Sequence, residues 1–142
     1  MTAKILGGLQ DEEFQTNNII YQQAYANYNE QNYQDASVLI TEVLKRKPQS
    51  EAANYLGGLI AMQNQEFKQG TILLQKTLDL NPHKVEDPMF MLQFAESLYF
   101  AERYTDAKVV LEKCREWGWA PESYPAYQEQ VTELLTQIEN MQ

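Results

Sequence analysis

The chain has 142 residues, 44% hydrophobic and 22% charged, values close to globular averages that exclude a disordered tail and a membrane-embedded protein. Twenty acidic against eleven basic side chains give a net charge of -9, which repels phosphate backbones and anionic lipid and argues against nucleic acid or membrane insertion. Near the N-terminus one Lys precedes Ile5, Leu6 and Leu9, broken by Gly7 and Gly8; with no apolar run of about 18 residues anywhere, neither a secretory signal nor a membrane span is expected.

Helical periodicity predicts a first helix over 12–30, with Asp11 as its N-cap. A second spans 34–46 and ends in Lys45 and Arg46, where cations favour the macrodipole; Pro48 follows as a helix stop. Two more span 51–63 and 68–80, the latter closed by Pro82. Beyond the extended Asp87-Pro88 junction, helices are predicted over 88–101, 105–117 and 124–140. The last carries Tyr127, Val131, Leu134, Leu135 and Ile138 as a one-sided apolar stripe suited to covering the end of an array.

These elements repeat. Ala24, Tyr33, Ala36, Ile40, Leu44 and Pro48 recur 34 residues on as Gly58, Phe67, Gly70, Leu74, Leu78 and Pro82. A third copy follows 37 residues later as Ala95, Tyr104, Ala107 and Leu111, with Arg115 in place of the next aliphatic and Trp119 in place of the proline. Small residues at the paired positions let two antiparallel helices approach closely. Since a helical glycine costs about 1 kcal/mol relative to alanine, Gly58 and Gly70 are explained by packing and not by local propensity. Tyr33, Phe67 and Tyr104 plug the gap beside each turn, and Trp117 and Trp119 join the third unit to the last helix.

The pattern resembles the tetratricopeptide repeat across about residues 17–121. Ile20, Gln23, Asn54 and Gly57 stand where that repeat carries a large residue and a leucine. The resemblance implies an all-α fold: three tetratricopeptide-like helix-turn-helix repeats (17–50, 51–84, 88–120) in a right-handed superhelical array, after an N-terminal extension (1–16) and before a C-terminal capping helix (122–142). In such an array the first helix of each unit lines a concave face. The expected peptide-binding groove is therefore Tyr21, Tyr25 and Tyr28 from the first unit, Tyr55, Leu59 and Met62 from the second, and Met89, Leu92, Glu96 and Tyr99 from the third, with Asn18 and Ala52 at its edge. Tyrosine offers a large face with few rotatable bonds and methionine adapts to irregular partners, a lining suited to an apolar extended or amphipathic segment. Some members of the family clamp acidic chaperone tails with Lys, Arg and Asn; Tyr21, Tyr25, Leu56, Met89 and Gln93 take those places here, so no such clamp is expected.

The layout is also similar to the class II chaperones of type III secretion systems. Gly7-Gly8 and Asp11-Glu12-Glu13 precede Tyr21-Gln22-Gln23-Ala24-Tyr25; the second unit carries Leu56-Gly57-Gly58-Leu59; and the third follows Asp87-Pro88 with Phe90, Phe94 and Ala95-Glu96-Ser97-Leu98. This likeness implies a cytoplasmic protein holding a hydrophobic translocator segment in the groove at Tyr21, Tyr25, Tyr55, Leu59, Met62 and Tyr99. The family's longer N-terminal arm for self-association is shortened here, which leaves a homodimer open. The alternative is a tetratricopeptide adaptor that scaffolds a complex through its convex face, edges or last helix.

No enzyme is expected. Glu12 with Glu13 and Glu86 with Asp87 are adjacent pairs that diverge or sit in a turn. His83 follows Pro82 in a turn without a partner. Cys114 falls where Val43 and Thr77 stand in the earlier units, so it reads as a buried small side chain and, as the single cysteine, makes no internal disulfide and fits a reducing setting. The Gly7-Gly8 and Gly57-Gly58 pairs lack the strand and Lys-Ser/Thr of a phosphate loop. Neither metal nor cofactor is expected. Glu96 stands apart as a carboxylate among apolar groove residues, placed to orient a client's backbone N–H or a Lys.

Overall fold

The computed structural model describes the backbone of residues 2–141 and the side chains of residues 12–141. Among the described residues the chain forms seven α-helices and no strand: α1 (Thr2–Asn29), α2 (Tyr33–Arg46), α3 (Glu51–Gln63), α4 (Phe67–Leu80), α5 (Pro88–Phe100), α6 (Tyr104–Trp117) and α7 (Tyr127–Met141). The helices pack in sequence-adjacent pairs, α1 on α2, α3 on α4 and α5 on α6, and α7 closes the stack against α6.

Each pair is set by the small residues that the repeat predicts. Ala24, Ala36, Ala95 and Ala107 are fully buried. In the middle pair an added Cβ at Gly58 would lie 2.7 Å from Leu74 Cδ2, and one at Gly70 would lie 3.2 Å from the Gly58 carbonyl oxygen, so the two backbones nearly touch.

The three turns within the pairs are copies of one another. Gln31, Gln65 and Glu102 adopt left-handed φ values of 66°, 61° and 64°. Around them, Asn32 N–H donates to Asn27 O, Glu66 N–H to Ala61 O and Arg103 N–H to Leu98 O, each at 2.8 Å. This is the helix-terminating bond pattern normally built on a left-handed glycine. Aromatic pairs brace the outer turns, Tyr28 with Tyr33 at 5.8 Å and Tyr99 with Tyr104 at 5.6 Å between ring centroids, and Phe67 stacks on Phe100 at 5.1 Å.

The links between pairs differ. At the first, Ser50 Oγ caps α3 by accepting from Ala53 N–H at 3.1 Å, while the buried Asn54 donates to Pro48 O at 3.1 Å and Ser50 O at 2.7 Å. Asn54 thus fastens the link, a use that explains its departure from the repeat pattern. The second link absorbs the three-residue lengthening of the repeat as a 3-10 turn, Pro82–Glu86, where an irregular extended junction is expected from sequence. Only Asp87 is extended, and its Oδ1 caps α5 by accepting from Met89 N–H at 3.0 Å and Phe90 N–H at 3.2 Å.

Two boundaries correct the sequence reading. Helix α1 begins at Thr2, so Asp11 lies inside it and is not an N-cap; once the helix forms, propagation through Gly7 and Gly8 costs less than starting a second nucleus. The side chains before Glu12, including Ile5, Leu6 and Leu9, lie outside the described residues. Helix α7 begins at Tyr127, later than expected, because Pro121 and Pro125 hold residues 121–126 in turns closed by Tyr124 N–H to Pro121 O and Tyr127 N–H to Tyr124 O.

The core divides in two. An N-terminal cluster of Ala24, Ala36, Ile40, Val43, Ala53, Leu56 and Ile60 holds α1, α2 and α3. A larger one, built around Leu74, Phe90, Phe94, Leu111, Cys114, Tyr127 and Ile138, holds the remainder. Asn17, 6% exposed, has no partner among the described residues for either side-chain amide atom. At the other end Tyr127 donates to Pro88 O at 2.8 Å, and Gln128 Nε2 donates to Trp119 O at 2.8 Å. Trp119 packs on Tyr127 with 6.4 Å between centroids and joins α7 to the third pair, and Trp117, 44% exposed, packs edge-on against Trp119 at 4.6 Å.

A candidate peptide-binding groove

Helices α1, α3 and α5 each present one line of side chains that neither core cluster fully buries. On α1 the line is Asn18, Tyr21, Tyr25 and Tyr28, at alternating four- and three-residue steps that keep it on one face. Tyr25 is 48% exposed and Tyr21 and Tyr28 are half-buried. On α3 it is Ala52, exposed, with Tyr55, Leu59 and Met62 half-buried. On α5 the half-buried line is Met89, Gln93, Glu96 and Tyr99.

Leu92 corrects the predicted groove. It is 2% exposed and belongs to the larger core cluster with Leu134, Leu135 and Ile138 of α7. The capping helix turns that face of α5 inward, and Gln93 takes the accessible place. Leu56, considered above as an occupant of a clamp position, is likewise buried at 4%. The other predicted groove residues are all reachable, and those of α1 and α3 meet: Tyr21, Tyr25, Ala52, Tyr55 and Leu59, with Leu56 at the back and Glu51 and Lys84 at the rim, line a cleft of about 390 Å³. Met62, Met89, Glu96 and Tyr99 are half-buried on the same helices or on α5 but do not line this cleft.

Two tyrosine hydroxyls are already engaged across neighbouring helices. Tyr55 donates to Gln93 Oε1, from α3 to α5, and Tyr99 donates to Gln137 Oε1 at 2.7 Å, from α5 to α7. Gln93 and Gln137 fix the spacing of the groove-lining helices, a role that sequence periodicity does not show because polar residues on a helix face read as solvated. The Tyr55 ring also packs edge-on against Phe90 at 5.5 Å. Burial is the main cause that pushes the Tyr55 hydroxyl up to about 12, and it also raises Tyr21 and Tyr28, so all three remain neutral donors at physiological pH.

The charges in the groove are few. Lys84 Nζ lies 4.7 Å from the Tyr55 ring centroid, 3.8 Å from Glu51 Oε1 and 3.9 Å from Asp87 Oδ2. The 3-10 turn delivers this cation, so its position depends on the lengthened second link. Glu96 has no ion pair and no hydrogen bond among the described residues, and desolvation raises its pKa above the ordinary carboxylate value.

The opposite face offers another surface. Val38, Ile72 and Val109, at equivalent places in α2, α4 and α6, are 72%, 60% and 52% exposed. A hollow of about 410 Å³ runs between α2 and α4, and one of about 700 Å³ lies beside Phe67, Ile72 and Phe100. Cys114 is fully buried. No described helix is long and apolar enough to cross a membrane.

No family model and no curated protein matches the chain. Solved structures do. The Yersinia enterocolitica type III secretion chaperone SycD in complex with a peptide of the translocator YopD superposes with a TM-score of 0.70 at 15% identity, over 89% of this chain and 95% of that one. PcrH in complex with the chaperone-binding region of PopD gives 0.69 at 12% identity, over 89% and 93%. The TPR2B domain of yeast Sti1 in its pHsp70 complex gives 0.67 at 13% identity, over 89% and 98%. At these identities the likeness establishes the fold, a stack of tetratricopeptide-type helical pairs with a capping helix.

Proposed function

We propose that this chain is a non-catalytic protein-binding module whose concave groove holds an apolar, extended or helical segment of a client protein, as a cytoplasmic chaperone similar to the translocator chaperones of type III secretion. The observation that carries the reading is the cleft between α1 and α3. Three tyrosines and two leucines from consecutive groove helices converge there, with Tyr25 48% exposed and no described side chain covering it. Burying such a surface against a client returns about 25 cal/mol per Å² of apolar area, and shielding a hydrophobic segment of that client is its direct consequence. Hydrogen bonds tie α3 to α5 and α5 to α7 before any client arrives, which lowers the ordering cost of binding on that side of the groove.

The groove electrostatics disfavour an acidic tail. The one cation lining the cleft among the described residues, Lys84, already faces Glu51 and Asp87, and the chain is acidic overall. A single buried thiol, Cys114, fits a reducing compartment. SycD and PcrH, which share the fold, form complexes with a peptide of YopD and the chaperone-binding region of PopD, and this supports a similar use of the groove here.

The test is a pull-down from native lysate, read by mass spectrometry, on wild type and on the Tyr25→Ala/Tyr55→Ala variant. A single membrane-active or secreted hydrophobic protein lost in the variant supports the chaperone reading, with unchanged far-ultraviolet circular dichroism showing that the fold survives. Retention at the wild-type level removes the groove assignment. The exposed row Val38, Ile72 and Val109 favours one second reading, an adaptor that scaffolds through its convex face; several partners retained by the groove variant and lost on Ile72→Asp would establish it.

A further inference from the structure

Glu96 carries chemistry that an apolar client alone does not use. Equivalent places in the three groove helices are Tyr25, Leu59 and Glu96, spaced by the same 34- and 37-residue steps as the repeat. A segment crossing the groove helices at this level therefore meets a ring, an aliphatic and a carboxylate in succession.

The other groove carboxylates are provided for. Glu51 Oε1 accepts from Asn81 Nδ2 at 3.1 Å and faces Lys84, and Asp87 caps α5 while facing the same lysine. Glu96 has no such partner among the described residues, although it is half-buried. Two hydroxyl donors on the flanking groove positions, Tyr55 and Tyr99, are already committed to Gln93 and Gln137. Half-burying a carboxylate without a donor is unfavourable, and its raised pKa agrees with that cost. A charged hydrogen-bond donor arriving with the client would relieve it.

We infer that the groove selects client segments bearing a basic side chain, Lys or Arg, which pairs with Glu96 while an apolar residue of the same segment occupies the Tyr25–Tyr55–Leu59 cleft. The inference rests on the groove reading and names its specificity. Consecutive groove helices stand side by side about one helix diameter apart, about 10–12 Å, and an extended chain advances about 3.3 Å per residue. The basic residue therefore falls about three residues from the apolar anchor at Leu59. The net charge of -9 adds long-range attraction for such a segment.

A random 12-residue peptide library displayed on phage, selected separately on wild type, Glu96→Gln and Tyr25→Ala/Leu59→Ala, tests this. Wild type should enrich Lys or Arg at the stated spacing from an apolar residue, and Glu96→Gln should enrich the apolar residue alone. For a synthetic peptide taken from the wild-type selection, replacing its basic residue by Met should weaken binding about tenfold on wild type and leave binding to Glu96→Gln unchanged, by fluorescence anisotropy. Binders that need Tyr25 and Leu59 but show no basic enrichment overturn the inference and leave the groove standing. Failure to recover any binder that depends on Tyr25 and Leu59 overturns both.

Discussion

Gly57 and Gly58 are neighbours in one helix, and local propensity predicts the same gain for each when alanine replaces it, about 1 kcal/mol. The structure predicts opposite signs. A Cβ at Gly58 would sit 2.7 Å and 2.8 Å from Cδ2 and Cγ of Leu74 and 3.3 Å from the Gly70 carbonyl oxygen. Leu74 is fully buried and has nowhere to move, so the two helices must part. Overpacking of this kind costs about 1–3 kcal/mol, which outweighs the propensity gain and leaves a net loss of about 1 kcal/mol. At Gly57 the tight neighbours of the added carbon would be the terminal Cδ1 atoms of Leu44 and Leu73, each at 3.3 Å, with Ile40 Cγ1 at an ordinary contact distance of 3.7 Å, and both leucines are half-buried. They can rotate aside, so most of the propensity gain survives. Thermal unfolding followed at 222 nm should show Gly58→Ala below wild type and Gly57→Ala at or above it, at about 3–4 °C per kcal/mol for a chain of this size. Equal stabilisation by both substitutions would refute the close-approach account of the middle pair.

Asp87→Ala should lower stability by about 1–2 kcal/mol, since two N–H groups of α5 lose their acceptor and Lys84 loses one of its two carboxylates. Ser50→Ala, which frees one N–H, should cost less in urea unfolding, and an equal loss at both sites would contradict the double cap. Glu96→Gln should stabilise the free protein at pH 7. Burial raises the folded-state pKa of this acid above 4.5, so folding favours the protonated form. The wild-type deficit is present at neutral pH, shrinks as pH falls through the raised folded value and vanishes below 4.5. Melting temperatures of the two proteins should converge toward pH 4; a constant gap, or none at pH 7, contradicts the burial of Glu96.

The array was legible because its packing rule is written in side-chain size. Only small residues fit where Ala24, Gly58 and Ala95 face Ala36, Gly70 and Ala107, and they recur at a fixed period. The tyrosines of α1 and α3 were legible as neighbours because they repeat along one face of each helix, and Tyr21, Tyr25 and Tyr55 line one cleft. Features that depend on an unseen neighbour were not. Leu92 has the same local pattern as Tyr55, one unit earlier, and is buried by joining the cluster that includes α7. Gln93 and Gln137 look like ordinary surface residues until the tyrosines opposite them are known. The early start of α1 ran against the glycine pair, because continuation of a formed helix outweighs two weak positions.

The division of the core has a consequence for how the molecule opens. The cluster holding α1 and α2 is built largely on alanine, Ile40, Val43, Leu56 and Ile60, and beside it Asn17 is buried without a partner among the described residues. The cluster around α5, α6 and α7 contains Phe90, Phe94, Tyr127 and a run of leucines. In a stacked array each unit is held only by its neighbours, so amide hydrogens of α1 and α2 should exchange through a partial unfolding that leaves the C-terminal half intact. The cleft lies across this weaker seam, between α1 and α3. An occupant there would act as a clasp: amide exchange in the first pair should slow on its binding, and its release should be coupled to the fraying of that end of the protein.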